Sequence, residues 1–177
     1  MSRRAVLSVA LAVMVVALLA GCSGAKTSSD GTSDVATKMN SATHHVDAAI
    51  VAMNEVVSAM PTVAVSAKQE LVSEAKSLSA TATASLAVAQ RELKGAQDDV
   101  TAVSRVDSST YFTAKDFAAY RAAVDNMLKE VEALQASLTA PEGPAESTIA
   151  SMSTGLVQFG VHHQAFVGAL NRMKGAQ

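Results

Sequence analysis

Apolar residues recur in this chain at alternating three- and four-residue steps, which limits the folds it can adopt. The clearest run extends from Val35 to Met60 and keeps a seven-residue repeat without a slip. Seven residues make almost two turns of an α-helix, so the repeat brings its apolar side chains onto one face. Ala, Val, Leu, Met, Glu, Gln and Lys dominate beyond residue 34, and alternating strand-like patterns are few. The predicted fold class is therefore all-α.

Proline marks the predicted end of the first helix. This helix is expected to begin with residue 33 or 34 as its N-cap and to end at Met60, because Pro61 should break it. The second segment then runs over residues 62–106. At ~1.5 Å per residue it would be almost 70 Å long, against about 40 Å for the first. A helix of that length must overhang its neighbours or bend, and the Ser/Thr-rich run 79–83 is the candidate bend.

Two further breaks separate the remaining helices. The polar cluster 107–110 precedes a third helix, for which Thr113 is the predicted N-cap and which ends near Thr139. A Pro-Glu-Gly-Pro stretch at 141–144 then introduces a fourth helix that runs to about Lys174. Four amphipathic helices with short connections predict an up-and-down antiparallel four-helix bundle with a long second helix.

Each predicted helix has one apolar stripe that should face the core. In chain order the four stripes are Val35, Met39, Ala42, Val46, Ala49, Met53, Val56 and Met60; Leu71, Ala75, Leu78, Ala82, Leu86, Ala89, Leu93, Ala96, Val100 and Val103; Phe117, Tyr120, Val124, Met127, Val131, Leu134 and Leu138; and Ile149, Met152, Leu156, Phe159, His163, Phe166, Leu170 and Met173. All six aromatic residues lie beyond residue 110. The two halves are therefore expected to pack differently, with close contact between the alanine-rich helices and a wider aromatic core in the other pair.

The first 22 residues have the pattern of an export signal. Arg3 and Arg4 precede an uncharged apolar run, which small residues and Cys22 close in the order Leu19-Ala20-Gly21-Cys22. This arrangement resembles the lipobox of bacterial lipoprotein precursors. The resemblance implies a signal peptide over 1–21, cleavage between Gly21 and Cys22, and a diacylglycerol joined to the Cys22 sulfur. A polar tether over 22–33 would then lead to a bundle domain over 34–177.

Two other interpretations of the apolar run fit the sequence less well. A retained transmembrane helix would need about 20 apolar residues, which is more than the run supplies. A free thiol at Cys22 fits poorly with the flanking signal. Several acyl chains on one cysteine hold a protein stably on a membrane, since each buried methylene contributes about 0.8 kcal/mol. The expected location is thus extracytoplasmic, at the cell membrane or the outer-envelope surface.

Charge argues against one class of partner. The chain has 14 basic and 16 acidic residues. Removing Arg3 and Arg4 with the signal would leave four more acids than bases. No dense Lys/Arg cluster is present, and basic residues alternate with acids, as in Lys129-Glu130. Nucleic acid is therefore not an expected partner. The lipid on Cys22 makes the membrane the expected one, and a protein of the envelope could be another.

Paired histidines are the main chemical signal of the sequence. They are His44-His45 on the first predicted helix and His162-His163 on the fourth. His45 and His163 lie at similar levels, roughly 17 Å from the same end of an antiparallel pair. One histidine from each helix could therefore meet, with Met39 as an additional ligand. This is the basis of an alternative function, binding of a metal ion or a small ligand through His45 and His163.

The spacing of these histidines weighs against a metal. Neighbouring residues of a helix are about 100° apart, and the chain lacks His-x-x-x-His and Glu-x-x-His pairs. Zinc takes three or four protein ligands. The preferred interpretation assigns His163 to the core, His45 and His162 to the edges of the helix contact and His44 to solvent. No cofactor is expected, apart from the lipid on Cys22. A pH response through His163 is a further alternative.

Catalytic motifs are not apparent in the sequence. It has no G-x-S-x-G elbow, no glycine loop for phosphates and no C-x-x-C-H haem motif. Asp98-Asp99 and Glu130/Glu132 have the spacing of a hydrated surface. The sequence therefore predicts a lipid-anchored, extracytoplasmic helical bundle with a non-catalytic binding or scaffolding role. As a subunit of a larger complex, it would expose an apolar patch on the overhanging part of the second helix.

Overall fold

Four helices make up the part of the chain that the computed structural model describes, which is residues 32–68, 72–104, 112–139 and 146–175. They are α1 (Thr32–Lys68), α2 (Val72–Val103), α3 (Ala114–Leu138) and α4 (Glu146–Gly175). Consecutive helices pack side by side, whereas α1 and α4 approach each other at only a few residues. The prediction of an all-α four-helix bundle is confirmed.

The core is built from the predicted inward stripes. Along α1, Val35, Ala42 and Val46 are almost completely buried, as are Leu86, Leu93 and Val100 of α2. Five hydrophobic stripe residues are only partly buried and pack against the edge of this core: Met39, Phe117, Ile149, Leu156 and Leu170. The side chains at positions 71, 75 and 78 lie outside the described residues. The heptad spacing thus predicted which face of each described helix points inward.

Packing differs between the two helix pairs, as expected from the composition. The contact between α1 and α2 is the most extensive among the four described helices, and small side chains such as Ala49 and Ala89 are fully buried within it. Alanines allow two helix backbones to approach closely. Between α3 and α4 the core instead contains aromatic rings, with the centroids of Tyr120 and Phe166 4.6 Å apart. These rings fill the core, which favours a packing role over an aromatic binding pocket.

The predicted break at Pro61 is wrong, because α1 continues through this residue to Lys68. A proline inside a helix removes one backbone hydrogen bond and costs about 3 kcal/mol. The buried residues Val56, Ala59 and Met60 hold the turns before the proline against the core, and the helix tolerates the loss. Consequently α1 has 37 residues and α2 has 32. The candidate bend at 79–83 lies within an uninterrupted α2.

The start of α3 follows the predicted cap. The Thr113 hydroxyl oxygen accepts a hydrogen bond from the Asp116 backbone N–H at 3.1 Å, and the same hydroxyl donates to the Asp116 carboxylate at 2.6 Å. Arg172, in the last turn of α4, donates to Asp116 at 2.8 Å. The hydrogen bonds from Thr113 and Arg172 hold the pKa of the Asp116 carboxyl below its ordinary value. The cap therefore also joins the start of α3 to the end of α4.

None of the helices in the described ranges is long and apolar enough to cross a membrane. The predicted signal peptide, its cleavage site at Gly21–Cys22 and most of the tether lie outside the described residues.

Candidate functional site

A row of polar side chains follows one edge of the contact between α1 and α2. The row consists of Lys38, Ser41 and His45 from α1 and Glu92 and Asp99 from α2, with Gly95 between the last two. We call these six residues the polar seam. Lys38 pairs with Asp99. His45, seven residues after Lys38 on α1, pairs with Glu92, seven residues before Asp99 on α2. This register is that of two antiparallel helices with a common heptad repeat, in which residues flanking the core form ion pairs across the helices.

Asp99 is the most deeply buried charged residue of the seam. It is 8% exposed, and the Lys38 ammonium donates to its carboxylate at 2.9 Å. Burial alone would raise the pKa of the Asp99 carboxyl, but hydrogen bonds from Ser41 and Lys38 outweigh it and hold the pKa below the ordinary value. The expectation that Asp98 and Asp99 both lie on a hydrated surface is wrong for Asp99, whereas Asp98 is exposed. One step along a helix turns the side chain by about 100°, and this brings Asp99 beside the inward stripe.

His45 lies between two carboxylates of α2. Its Nδ1 is 2.9 Å from a Glu92 oxygen, and its Nε2 is 4.0 Å from an Asp99 oxygen. Hydrogen bonds from His45 and then from Arg91 lower the pKa of the Glu92 carboxyl. The imidazole is seated on Gly95, where an added Cβ would come within 2.9 Å of the ring Cε1 atom. The helix contact thus has a glycine notch that admits the histidine ring.

The geometry of the seam suits helix pairing better than chelation. The two ring nitrogens of His45 point away from each other, so Glu92 and Asp99 lie on opposite sides of the ring and cannot join one nitrogen in binding one ion. Across the described ranges, no group of three His, Cys, Asp or Glu side chains is placed to hold a metal ion. The Ser41 hydroxyl bonds Asp99 and not a histidine, so these residues do not form a serine–histidine nucleophile pair.

The other histidines have separate surroundings. His44 is exposed, as predicted. His163 is half-buried, and this burial lowers its pKa, while the negative charge of Asp47 on α1 partly offsets the effect. The Nε2 atom of His162 is 3.8 Å from a Glu130 oxygen on α3. The alternative in which His45 and His163 meet between α1 and α4 required them to face each other. In the structure His45 contacts Glu92 on α2, and His163 lies near Asp47 on α1.

A second polar contact lies at the centre of the bundle. The hydroxyl of the fully buried Tyr120 on α3 is 3.4 Å from the Thr43 hydroxyl on α1. Burial raises the pKa of Tyr120 to about 12, and the charges of Asp47 and Asp99 act in the same direction. Tyr120 therefore connects the α3–α4 pair to α1.

Glu92, Gly95 and Asp99 were missed as site residues by the sequence analysis. Their spacing of three and four residues matches that of Lys38, Ser41 and His45 on α1. Two polar rows with the same spacing, each flanking an apolar stripe, are the sequence signal that could have revealed the seam.

Replacing Gly95 by alanine tests the notch, with Gly160→Ala as the matched control. Alanine is favoured over glycine in a helix by about 1 kcal/mol. At Gly160 an added Cβ meets no atom within 4 Å, so the variant should gain most of this stability. At Gly95 the new Cβ must displace the His45 ring and break its bond to Glu92, so the gain should disappear. Urea denaturation measures both; an equal gain would show that the ring is not seated there.

Comparison of the chain with protein-family models, with curated proteins and with solved structures finds no match.

Proposed function

We propose that this chain is a lipid-anchored, extracytoplasmic helical-bundle protein that acts by binding or scaffolding without catalysis. The observation that carries the proposal is the sequence Leu19-Ala20-Gly21-Cys22 after Arg3, Arg4 and an apolar run. This pattern is typical of a lipoprotein signal. The described helices provide a bundle in which none could span a membrane. A lipid on Cys22 would then hold the bundle at the membrane surface.

The polar seam supports a structural role for its charged residues. Asp99 is hydrogen-bonded to Lys38 and Ser41, and His45 is hydrogen-bonded to Glu92. The polar groups on α1 therefore have partners on α2. Such pairs set the register between two helices. This arrangement favours a rigid helical body over a reaction centre, which would present a polar group to a substrate.

Binding of a metal ion or small ligand through His45 and His163 is the weaker alternative. His45 already has Glu92 at 2.9 Å, and His163 lies near Asp47. The Glu92 contact engages Nδ1 and leaves Nε2 of His45 for an ion, but within the described ranges no group of three His, Cys, Asp or Glu side chains is placed to hold one. Native mass spectrometry with added zinc, copper or nickel addresses this alternative. One bound ion per chain that is lost in the His45→Ala/His163→Ala double variant would favour metal binding over the scaffolding role.

The anchor would also orient the bundle. Ten peptide steps from Cys22 to Thr32 can span at most ~35 Å when fully extended. The start of α1 would therefore stay near the membrane. In an up-and-down bundle the end of α2, the start of α3 and the end of α4 are at the same end as the start of α1. This end, which contains Lys38 and Asp99, would face the lipid.

Replacing Cys22 by serine tests the anchor directly. In a bacterial host that processes lipoproteins, the unaltered chain should be labelled by radioactive palmitate and sediment with membranes. Cys22→Ser should lose the label and the membrane retention, because serine provides no sulfur for the thioether. Ser23→Ala is the matched control and should behave as the unaltered chain. Equal labelling and sedimentation of the Cys22→Ser variant would contradict the proposal.

A further inference from the structure

The described helices form two hairpins, α1–α2 and α3–α4, whose internal contacts are larger than the contacts between them. Each hairpin packs extensively within itself. Between the hairpins, α2 and α3 share a smaller contact, and α1 and α4 approach each other at only a few residues. An opening at the α1–α4 edge therefore breaks fewer helix contacts than an opening inside either hairpin.

Within each hairpin, a histidine lies beside a glutamate of the neighbouring helix. Nδ1 of His45 on α1 is 2.9 Å from a Glu92 oxygen on α2, and Nε2 of His162 on α4 is 3.8 Å from a Glu130 oxygen on α3. Protonation gives the ring a positive charge opposite a carboxylate, which favours an ion pair. The contacts inside both hairpins therefore tolerate mild acid.

His163 has different surroundings. It is half-buried on α4, one turn before Phe166, which is almost completely buried. Burial lowers the pKa of His163, because it separates the charged ring from water, and the negative charge of Asp47 on α1 offsets only part of this effect. The nearby charge thus belongs to the other hairpin. Protonation of His163 conflicts with the closed position of α4.

The other titratable groups around this part of the core keep a constant charge in mild acid. Tyr120 on α3 packs on Phe166, and its pKa, raised to about 12, keeps the phenol neutral. On α2, the pKa values of Glu92 and Asp99 are lowered, so both carboxylates stay ionised. Carboxyl groups ordinarily titrate near pH 4 and histidine near 6.5. Between about pH 7.5 and 5.5 the charge that changes here is therefore that of histidine.

We propose that His163 makes the contact between the two hairpins sensitive to pH: when its ring takes up a proton, α4 moves away from α1, while the contacts inside each hairpin remain. In the open form the charged imidazole reaches water, which its half-buried position in the closed form restricts. The open form, in which His163 has an ordinary pKa near 6.5, gains population as the pH falls below that value. The gain ends once His163 is protonated in the closed form as well.

Distances between spin labels test the proposal. Val51→Cys on α1 and Val157→Cys on α4 place labels at exposed positions of the two helices. The full chain also carries Cys22→Ser, which removes the native thiol and leaves the four helices unaltered. Pulsed electron paramagnetic resonance should show a second, longer distance whose population grows several-fold between about pH 7.5 and 5.5. Val51→Cys with Val88→Cys on α2 is the matched control, and its distance should not change.

Substitutions of the charged groups assign the effect to His163. His163→Gln cannot gain a charge, so its distances should not depend on pH, whereas His44→Gln, at an exposed position, should behave as the unaltered helices do. Asp47→Asn should shift the opening to lower pH, because it removes the charge that favours the protonated ring. Asp47 is exposed, so this variant should keep the fold.

Four results would overturn the proposal. They are an α1–α4 distance that does not change with pH, the same growth of the longer distance in His163→Gln, an unchanged transition in Asp47→Asn, and equal lengthening of the α1–α2 control pair. The last result would indicate general loosening of the bundle in acid instead of separation between the hairpins.

Discussion

Replacing Tyr120 by alanine is expected to lower the free energy of unfolding by about 3–5 kcal/mol, which is the usual cost of removing a large buried aromatic side chain. Tyr120 is fully buried on α3, and its ring packs on Phe166 of α4. The hydroxyl reaches Thr43 on α1. The substitution therefore leaves a cavity where three helices meet.

Tyr120→Phe separates the ring from the hydroxyl in this experiment. The hydroxyl contact of 3.4 Å is long for a hydrogen bond between two oxygens, so its loss should cost no more than about 1 kcal/mol. Urea denaturation followed by circular dichroism gives the free energy of unfolding for both variants. If Tyr120→Phe proved as costly as Tyr120→Ala, the polar contact with Thr43 would be the main stabilising interaction, contrary to the packing argument.

The inward faces of the helices were predictable from the sequence because burial follows the heptad period directly. A stripe residue such as Leu93 is surrounded by helices whatever their exact rotation, and it is completely buried. The N-cap of α3 was predictable for a similar reason, since the Thr113 side chain bonds a residue three positions along the chain. The predicted N-cap of the first helix, residue 33 or 34, instead lies inside α1, which begins at Thr32. Interactions that depend only on one helix or on the bundle axis can be inferred without knowing which helices are neighbours.

The polar seam could not be predicted in this way, because it depends on which helix lies at each edge of α1. The sequence correctly predicted that His45 lies beside the core contact. The level of His45 along the helix suggested that its partner would be on α4. The close packing of α1 and α2 instead brings Glu92 and the Gly95 notch to the ring. In the same way, Asp99 resembles Asp98 in sequence, and only the rotation of α2 against α1 separates the buried aspartate from the exposed one.

The end of α1 shows the limit of a local rule. Pro61 destabilises the helix by a fixed local amount. The helix ends only where this destabilisation exceeds the stabilisation from packing, and the buried residues up to Met60 stabilise the turns before the proline. The boundary prediction used only the first of these quantities. The candidate lipid site at Cys22 presents a different case, because its recognition depends on a sequence pattern and the residue lies outside the described ranges.

Replacing Asp99 by alanine is expected to lower the free energy of unfolding at pH 7 by about 1–3 kcal/mol, the range for removing a charged partner from buried hydrogen bonds. The variant leaves Ser41 and Lys38 without their acceptor. Lys38 has a side-chain exposure of 40%, so it can turn to water, and the loss should stay below that of a fully buried ion pair. Asp98→Ala is the matched control, since Asp98 is exposed and should change stability by less than about 0.5 kcal/mol.

The pH dependence distinguishes the charge of Asp99 from its bulk. Because the pKa of Asp99 is lowered in the folded protein, its carboxylate stabilises the fold fully above the unfolded pKa of about 3.9, and this contribution is lost as the pH falls through the folded value. The difference in stability between the unaltered chain and Asp99→Ala should therefore persist from pH 7 down to about 3.9 and shrink below that value. Urea denaturation over that range measures the gap. A gap of constant size down to the acid limit would mean that Asp99 acts through packing, since its stabilising effect would then not depend on its negative charge.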